Sequence, residues 1–483
     1  MLRALLLLPL LGALLVAVLP SRRPEIIRWA SLAVSGSALC FALVLAYLFD
    51  PALSSQQFFE TRPWNPRVGS SFALGVDGIS LPMVVLAALL CFVSMLVSTT
   101  IRSSTKFYFS LMLVLEAAML GVFMARDWSL FYVFWELTLI PLFFLIDRMG
   151  GANRHRAALN FVLYTLGGSV FMLVALLLLY DAAPGHSFAM ADMAEGGRGL
   201  PLTTQLLIFA GLFIGFGVKM PVFPLHGWLP LAHVEAPSPI SILLSGALLK
   251  MGSYGLIRAS ETLPGALLAV QDGLATLALI SLVYGSVLAW RQTDLKRMVA
   301  YSSVAHMGVV LLGIATLNVT GIGGAVFQMT AHGLAAALLF LLVGALYERT
   351  HTRQLGEIGG LLGRAPRLTF LLALALLAAA GLPGGAGFIA ELHVLIGGFE
   401  RWSGWVAVLS LGVVISAAYA VRVVGRLCLG GEPHATPLPD LNRSEFIAAT
   451  VLASGIVVAG VFPAPLIALS AASVREIARL FGA

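Results

Sequence analysis

Fourteen long apolar runs follow one another along this chain. An α-helix needs about 20 apolar residues to cross the hydrocarbon core of a bilayer, and each run approaches or exceeds that length. Within the core, backbone amides cannot bond to water, so only helices and closed barrels span it. The alternating segments of roughly ten residues that form barrel strands do not occur here. The sequence therefore predicts an all-α polytopic membrane protein.

The predicted spans cover residues 2–20, 27–49, 79–100, 107–124, 128–146, 157–180, 204–231, 236–260, 266–290, 296–316, 319–346, 367–396, 404–428 and 444–470. The first run is long for the apolar core of a signal peptide and lacks a clear small-residue cleavage site, so it too is predicted to be a span.

Composition excludes several classes of function. Charged residues make up 11% of the chain, against about 25% in soluble domains. The net charge of +6 requires no nucleic-acid partner, because basic connections on one side of a bilayer account for it. The three cysteines lie in apolar runs without the spacing of iron–sulfur ligands, and no Walker or Rossmann fingerprint is present. We expect no cofactor or metal in this chain, and a driving force that comes from a partner or an ion gradient.

The distribution of basic residues predicts an orientation. Of the 29 lysines and arginines, eighteen fall in connections on one side and nine on the other, which places the first side in the cytoplasm and both termini outside. The remaining two, Lys219 and Lys250, lie inside spans, although the chain has only four lysines. A buried lysine can release its proton, whereas arginine stays charged. Their placement favours a proton path.

The stretch Gly211–Arg258 contains a break in the middle of an apolar run. Prolines stand two and five residues after Lys219. Proline has no amide hydrogen and clashes with the carbonyl four residues back, so we expect free carbonyls at Gly217 and Met220. Such broken backbone at membrane depth is tolerated only where protein or water satisfies it. A charge beside a broken helix predicts an ion path.

A weaker copy of this pattern lies later in the chain, at Leu382–Gly387, where a proline-centred break precedes Glu391. Two interruptions in corresponding positions indicate a transporter built from inverted repeats.

Ionisable side chains within spans are costly in lipid and are functional candidates by default. The main candidates are Glu136, Lys219, Lys250, His306, His332 and Glu391, and the weaker ones are Glu116, His226 and His233. Histidine titrates near neutral pH and can pass protons between its two nitrogens. The alternative for each residue is a buried polar group that pins two helices together.

Three segments resemble one known family: FYVFWELTLIPLFFLI, FGVKMPVFPLHGWLPLAHVEAPSPISILLSGALLKMGSYGLIR and DLKRMVAYSSVAHMG. They are similar to the antiporter-like, proton-translocating subunits of respiratory complex I, the NADH-quinone oxidoreductase. The resemblance extends over roughly residues 70–430 and is strongest to subunit M, the counterpart of mitochondrial subunit 4. Subunits L and N are disfavoured, because they typically carry a lysine where this chain has Glu391.

The resemblance implies fourteen helices, with helices 7 and 12 discontinuous, and two inverted five-helix repeats. The chain then divides into an N-terminal three-helix segment (1–106), repeats at 107–260 (helices 4–8) and 266–428 (helices 9–13), and a C-terminal helix and tail (444–483). It also implies that Glu136 pairs with Lys219, and that the path continues through Lys250, His306 and His332 to Glu391.

The same resemblance implies a multi-pass subunit of a bacterial inner membrane. FMN, iron–sulfur clusters and quinone belong to partner subunits, and L-like and N-like antiporter subunits are expected neighbours in the lipid bilayer. Three alternatives stay open at this point. The first is the D-type subunit of a multisubunit sodium/proton antiporter, the second a membrane subunit of a related hydrogenase or complex I-like assembly, and the third a structural or quinone-binding scaffold.

Overall fold

The computed structural model describes residues 1–101, 104–429 and 438–482. In these residues twenty α-helices follow one another: α1 Leu2–Val18, α2 Pro24–Leu48, α3 Ser80–Val97, α4 Thr105–Met124, α5 Trp128–Leu137, α6 Leu139–Met149, α7 Arg154–Ala182, α8 Met190–Gly199, α9 Leu202–Lys219, α10 Leu229–Glu235, α11 Ser238–Leu243, α12 Leu249–Thr262, α13 Pro264–Arg291, α14 Leu295–Ala315, α15 Val319–Thr350, α16 Pro366–Ala379, α17 Ala386–Trp402, α18 Val408–Leu429, α19 Arg443–Val461 and α20 Ala464–Arg479.

The prediction of an all-α polytopic membrane protein is confirmed. Twelve helical segments of the described chain are long and apolar enough to cross a membrane, and α1 and α16 are shorter apolar helices. One of the twelve, Ala386–Cys428, is 43 residues long and contains both α17 and α18. The count of fourteen spans and the inverted repeats remain predictions.

Both predicted helix breaks are confirmed. Helix α9 ends at Lys219 and α10 begins at Leu229, whereas α16 ends at Ala379 and α17 begins at Ala386. The expectation of a free carbonyl at Gly217 is wrong. The turn after Lys219 folds back, so that the Val222 amide donates to the Gly217 carbonyl over 3.1 Å.

One helix predicted to be continuous is divided. The predicted span 444–470 ends as α19 at Val461, and α20 begins at Ala464 after Pro463. Proline explains this division, because it removes an amide donor from the helix. The predicted span 128–146 is continuous: α5 passes into α6 through Thr138, whose backbone stays helical, and Trp128–Met149 forms one span.

A small β structure covers one end of the helices, in the connection between α2 and α3. Strand β1 (Gln57–Glu60) pairs with β4 (Leu74–Val76), and β2 (Pro63–Asn65) pairs with β3 (Ser70–Ser71), both antiparallel. Further bridges join Leu74 to Ala125 and Asp127 to Ala189. We call this region the strand end. Its strands were not predicted from the sequence.

Beside the strand end, a buried ion cluster ties the helices together. Asp77, just before α3, accepts from Arg258 Nη2 on α12 at 2.6 Å, and Arg126 Nη2 lies 3.3 Å away. Arg258 also donates to Glu261 at 2.6 Å. Burial by itself would raise the pKa of Asp77, but the guanidinium groups of Arg258 and Arg126 outweigh it and hold that pKa well below its ordinary value.

We expect the substitution Asp77→Asn to destabilise the protein by about 3–5 kcal/mol, because buried Arg126 loses its carboxylate partner and buried Arg258 keeps only Glu261. The lowered pKa means that the wild type has this stabilisation above about pH 4 and loses it as the pH falls further. Thermal unfolding of the purified protein across pH measures both effects. Asp50→Asn, at an exposed aspartate, is the control. An unchanged unfolding temperature in Asp77→Asn would contradict the prediction.

The helices that carry the central candidate residues are the most deeply buried ones. In Ser238–Thr262, all residues of the 18-residue apolar stretch are buried inside the protein. In Leu295–Ala315 and Val319–Thr350, 94% of the corresponding stretch is buried. In α7 and α13 the corresponding fractions are 39% and 44%. The centre of the fold therefore consists of the three segments that bear Lys250, His306 and His332.

Candidate functional site

A π-helical segment at Leu244–Leu248 joins α11 to α12 and positions Lys250. The Lys250 ammonium folds back and donates to the Ser245 carbonyl at 2.6 Å. Single π turns inside α-helices occur frequently at functional sites, because they release backbone groups from the helical ladder. The Lys250 side chain is fully buried, and among the described residues no carboxylate forms an ion pair with it.

His332 on α15 is the second partner of Lys250. Its Nδ1 lies 2.6 Å from Lys250 Nζ, and its Nε2 lies 3.1 Å from Ser303 Oγ on α14. When Nδ1 accepts from the ammonium, Nε2 carries the hydrogen of the neutral ring and donates to Ser303. Ser303 Oγ also contacts Ser245 Oγ at 3.0 Å. The imidazole thus connects the lysine to a pair of buried hydroxyl groups.

His306 and Glu391 form the other end of this central group. His306 Nε2 donates to the Ala379 carbonyl at 2.8 Å, at the broken end of α16. The same nitrogen lies 3.9 Å from Glu391 Oε1 on α17. The His306 and His332 rings are 5.2 Å apart between centroids. Four of the six main candidates therefore lie in one buried cluster, which we call the central cluster: Lys250, His306, His332 and Glu391.

The remaining two main candidates lie near the first break, but without the expected contact. Lys219 Nζ donates to Thr138 Oγ1 at 3.1 Å and stands over the Trp135 ring at 5.1 Å. No ion pair between Lys219 and Glu136 within 4.0 Å is found in the described residues, and their pairing stays a prediction. Glu136 is half-buried, and its Oε1 has no hydrogen-bond partner there. Thr138, at the junction of α5 and α6, supplies the hydroxyl group that Lys219 contacts instead.

The three weaker candidates lie outside the central cluster. Glu116 is buried on α4, where Ser35 donates to its Oε1 at 2.9 Å. His226 packs against Tyr284, with ring centroids 5.3 Å apart. His233 is buried and stacks on Phe340 at 4.4 Å, and neither of its ring nitrogens has a hydrogen-bond partner in the described residues.

Several polar residues at the site were not singled out from the sequence. Thr138, Ser245 and Ser303 supply hydroxyl groups to the buried lysines and to His332. Gln328 on α15 is 1% exposed and lies beside the central cluster. A signal for Gln328 existed in the sequence, because it precedes His332 by four residues and so shares a helix face with it. Small hydroxyl side chains are common in membrane helices and gave no comparable signal.

The central cluster has the chemistry of proton transfer. It contains a lysine, two imidazoles and a carboxyl group, all of which can gain or lose a proton, on helices from which water is largely excluded. Among the described residues, no group of three or more metal-ligating side chains is close enough to hold a metal ion.

Comparison with known proteins identifies the family. Residues 125–416 match the model of the family described as NADH:quinone oxidoreductase/Mrp antiporter, transmembrane. The chain is also similar to NAD(P)H-quinone oxidoreductase chain 4 2 of Thermosynechococcus vestitus. The two are 39% identical over 469 residues, which cover 95% of this chain and 88% of that one.

Solved structures agree with this assignment. A chain of respiratory complex I from Thermus thermophilus with bound NADH superposes with a TM-score of 0.91, at 32% identity and 100% coverage of both chains. A chain of the Mrp complex from Dietzia sp. reaches a TM-score of 0.88 at 21% identity, covering 99% of this chain and 98% of that chain, and shares the fold. The chain belongs to the NADH:quinone oxidoreductase/Mrp antiporter transmembrane family.

Proposed function

We propose that this chain is the proton-translocating subunit M of an NADH-quinone oxidoreductase. The observation that carries the proposal is the central cluster. It places Lys250 against His332, and His306 near Glu391. The lysine and the two histidines lie on the three most buried segments of the fold, and Glu391 lies on α17. The similarity to chain 4 of a quinone oxidoreductase and to a complex I chain supports a redox complex as the host.

In the proposed mechanism, Lys219 controls the supply of protons to the central cluster. It donates to Thr138 here, and Glu136 lies two residues earlier in the chain. Two opposite unit charges about 4 Å apart attract by roughly 4 kcal/mol at an effective dielectric of about 20, part of which desolvation offsets. Movement of Lys219 towards Glu136 therefore favours retention of its proton, and movement away favours release. The released proton passes to Lys250 and His332, then to His306 and Glu391.

The remaining parts of the proposal concern the host complex. Electron transfer in partner subunits drives the movement, with FMN, iron–sulfur clusters and quinone bound there and no redox centre in this chain. L-like and N-like subunits are the expected neighbours, in a bacterial inner membrane with both termini outside. Within the chain, residues 107–260 and 266–428 form the two inverted repeats, between the flanking segments 1–106 and 444–483.

A second candidate function is that of the D-type subunit in a multisubunit sodium/proton antiporter, since the family includes such proteins. Membrane subunits of related hydrogenases belong to the same group of possibilities. The proteins that co-purify with this chain distinguish these functions. Co-purification with flavin and iron–sulfur subunits supports the redox complex. Sodium-dependent proton flux without such subunits supports the antiporter.

The test of proton translocation is the substitution Glu391→Gln, which keeps the size of the side chain and removes its ability to accept a proton. We expect proton pumping by the assembled complex to fall by about 100-fold or more, because one proton-transferring group is lost. Fluorescence quenching of a pH-sensitive dye in inverted membrane vesicles measures it.

The matched control is Glu400→Gln on the same helix, at an exposed glutamate that contacts Asn318 and Thr320. It should pump like the wild type. Wild-type pumping by an assembled Glu391→Gln complex would falsify the proposed role.

A further inference from the structure

The Lys219 ammonium lies over the faces of two aromatic rings. Its Nζ is 5.1 Å from the centre of the Trp135 ring and 5.9 Å from that of Phe161. A cation within about 6 Å of a ring centre is attracted by the negative face of the ring, and indole attracts it most strongly. The ammonium has three hydrogens, but in the described part of the chain Thr138 Oγ1 is its one hydrogen-bond acceptor. The rings therefore supply a large part of the contacts of this buried charge.

The Trp135 ring is held in place by its neighbours. Its centre lies 5.7 Å from that of Phe131 on the same helix and 5.7 Å from that of Phe216, which packs edge-on from α9. The Trp135 side chain is buried. Because Phe216 and Lys219 both belong to α9, one helix supplies the cation and a side chain that fixes the ring beneath it.

The indole nitrogen of Trp135 is buried and has no hydrogen-bond partner in the described residues. A buried donor without a partner lowers the stability of a fold, and a phenyl ring at this position would avoid that cost. What indole provides beyond phenyl is a larger ring and a stronger attraction for a cation. The environment of Trp135 therefore uses the face of the ring and leaves its N–H group unused.

Trp135 and Thr138 form one docking position for the ammonium. The Thr138 hydroxyl donates to the Trp135 carbonyl at 2.7 Å, which leaves its lone pairs free to accept from Lys219. These two residues are three apart and share a helix face. Glu136 is rotated about 100° further around the helix, where it borders an apolar groove together with the exposed Ile140. Lys219 must leave the Trp135 ring in order to pair with Glu136.

We propose that Trp135 is a positioning residue whose indole face holds the charged Lys219 ammonium after it separates from Glu136 and before it releases its proton. The inference rests on the proposed function and adds a residue to it. An isolated buried charge is costly, so an ammonium without such a partner would return to the carboxylate. The ring lowers the cost of the separated state and so raises its population. Once the proton leaves, the neutral amine is no longer attracted to the ring. Trp135 itself exchanges no proton.

The test weakens the face of the ring while its shape is kept. Tryptophan analogues with one to four fluorine atoms on the indole ring are incorporated at position 135 of the full chain in the assembled complex. Each fluorine withdraws electron density from the ring, so the attraction for a cation decreases in steps. We expect proton pumping to fall in the same steps, by about tenfold for the tetrafluoro ring, the factor that corresponds to about 1.4 kcal/mol of cation attraction.

Trp128 is the matched control. It lies on the same helix and is fully buried, and its nitrogen also has no hydrogen-bond partner in the described residues. No cation stands over its ring in that part of the chain. Fluorination of Trp128 should leave pumping within about twofold of the wild type. At position 135, Trp135→Phe keeps a weaker ring face and Trp135→Leu keeps none, so pumping should fall by about threefold and about tenfold respectively.

The two fluorinated series decide the inference. A stepwise fall at position 135 with constant pumping at position 128 supports it. Constant pumping across the Trp135 series, or equal falls in both series, overturns it. If Trp135→Phe and Trp135→Leu fail to assemble, the fluorinated series still decides, because every member keeps the indole ring. Glu391→Gln tests the proposed function separately: its loss of pumping beside a constant Trp135 series leaves that function intact and removes only the role of Trp135.

Discussion

Replacing Lys219 by arginine is expected to stop proton translocation although it preserves the positive charge. Arginine stays protonated at any pH that a protein survives, whereas a buried lysine can give up its proton. Lys219 is 1% exposed and is held by the Thr138 hydroxyl and the face of Trp135. A guanidinium can satisfy both contacts, so the variant should assemble. We expect a loss of pumping of about 100-fold or more, the usual contribution of a proton-transferring group.

The measurement is proton pumping per electron pair in inverted vesicles, with assembly checked on native gels. Lys106→Arg is the matched control, since Lys106 is partly exposed on α4 and lies outside the central cluster. It should behave like the wild type. Pumping at the wild-type rate in Lys219→Arg would mean that Lys219 supplies a fixed charge and never titrates.

The sequence was sufficient to predict both helix breaks and the burial of the main ionisable residues, because membrane helices obey few and strong rules. A proline after Lys219 and another before Glu391 cannot continue a helix, and both breaks are present in the structure. Ionisable residues in apolar runs are rare, so Lys250, His306 and His332 stood out from their surroundings. These are statements about single positions in the chain, and they require no knowledge of how the helices pack.

The contacts within the site could not be predicted in the same way. The partner of Lys219 depends on how the helices pack around its ammonium, which places Thr138 Oγ1 rather than Glu136 within hydrogen-bond distance. The Ser245 carbonyl reaches Lys250 only because a π turn forms at Leu244–Leu248, a segment without proline. Such details arise from the packing of several helices at once, and the local sequence does not contain them.

Replacing Lys250 by methionine is expected to abolish proton pumping without lowering the stability of the fold. The Lys250 ammonium is fully buried and has a carbonyl and an imidazole as partners, with no carboxylate paired to it in the described residues. Burying a charge costs several kcal/mol, and apolar replacement of buried charges is often neutral or stabilising by about 1–4 kcal/mol. Methionine has a similar length and leaves only His332 Nδ1 and the Ser245 carbonyl to be satisfied.

The Lys250→Met complex should therefore unfold at the wild-type temperature or above it, while pumping falls by about 100-fold or more. Thermal unfolding and dye quenching on the same preparation measure the two quantities, with Lys106→Met as the control for losing a lysine elsewhere. A parallel decrease in unfolding temperature and pumping would contradict this, because it would mean that Lys250 mainly holds α12 against α15. An unchanged unfolding temperature together with lost pumping would mean that Lys250 serves proton transfer rather than the stability of the fold.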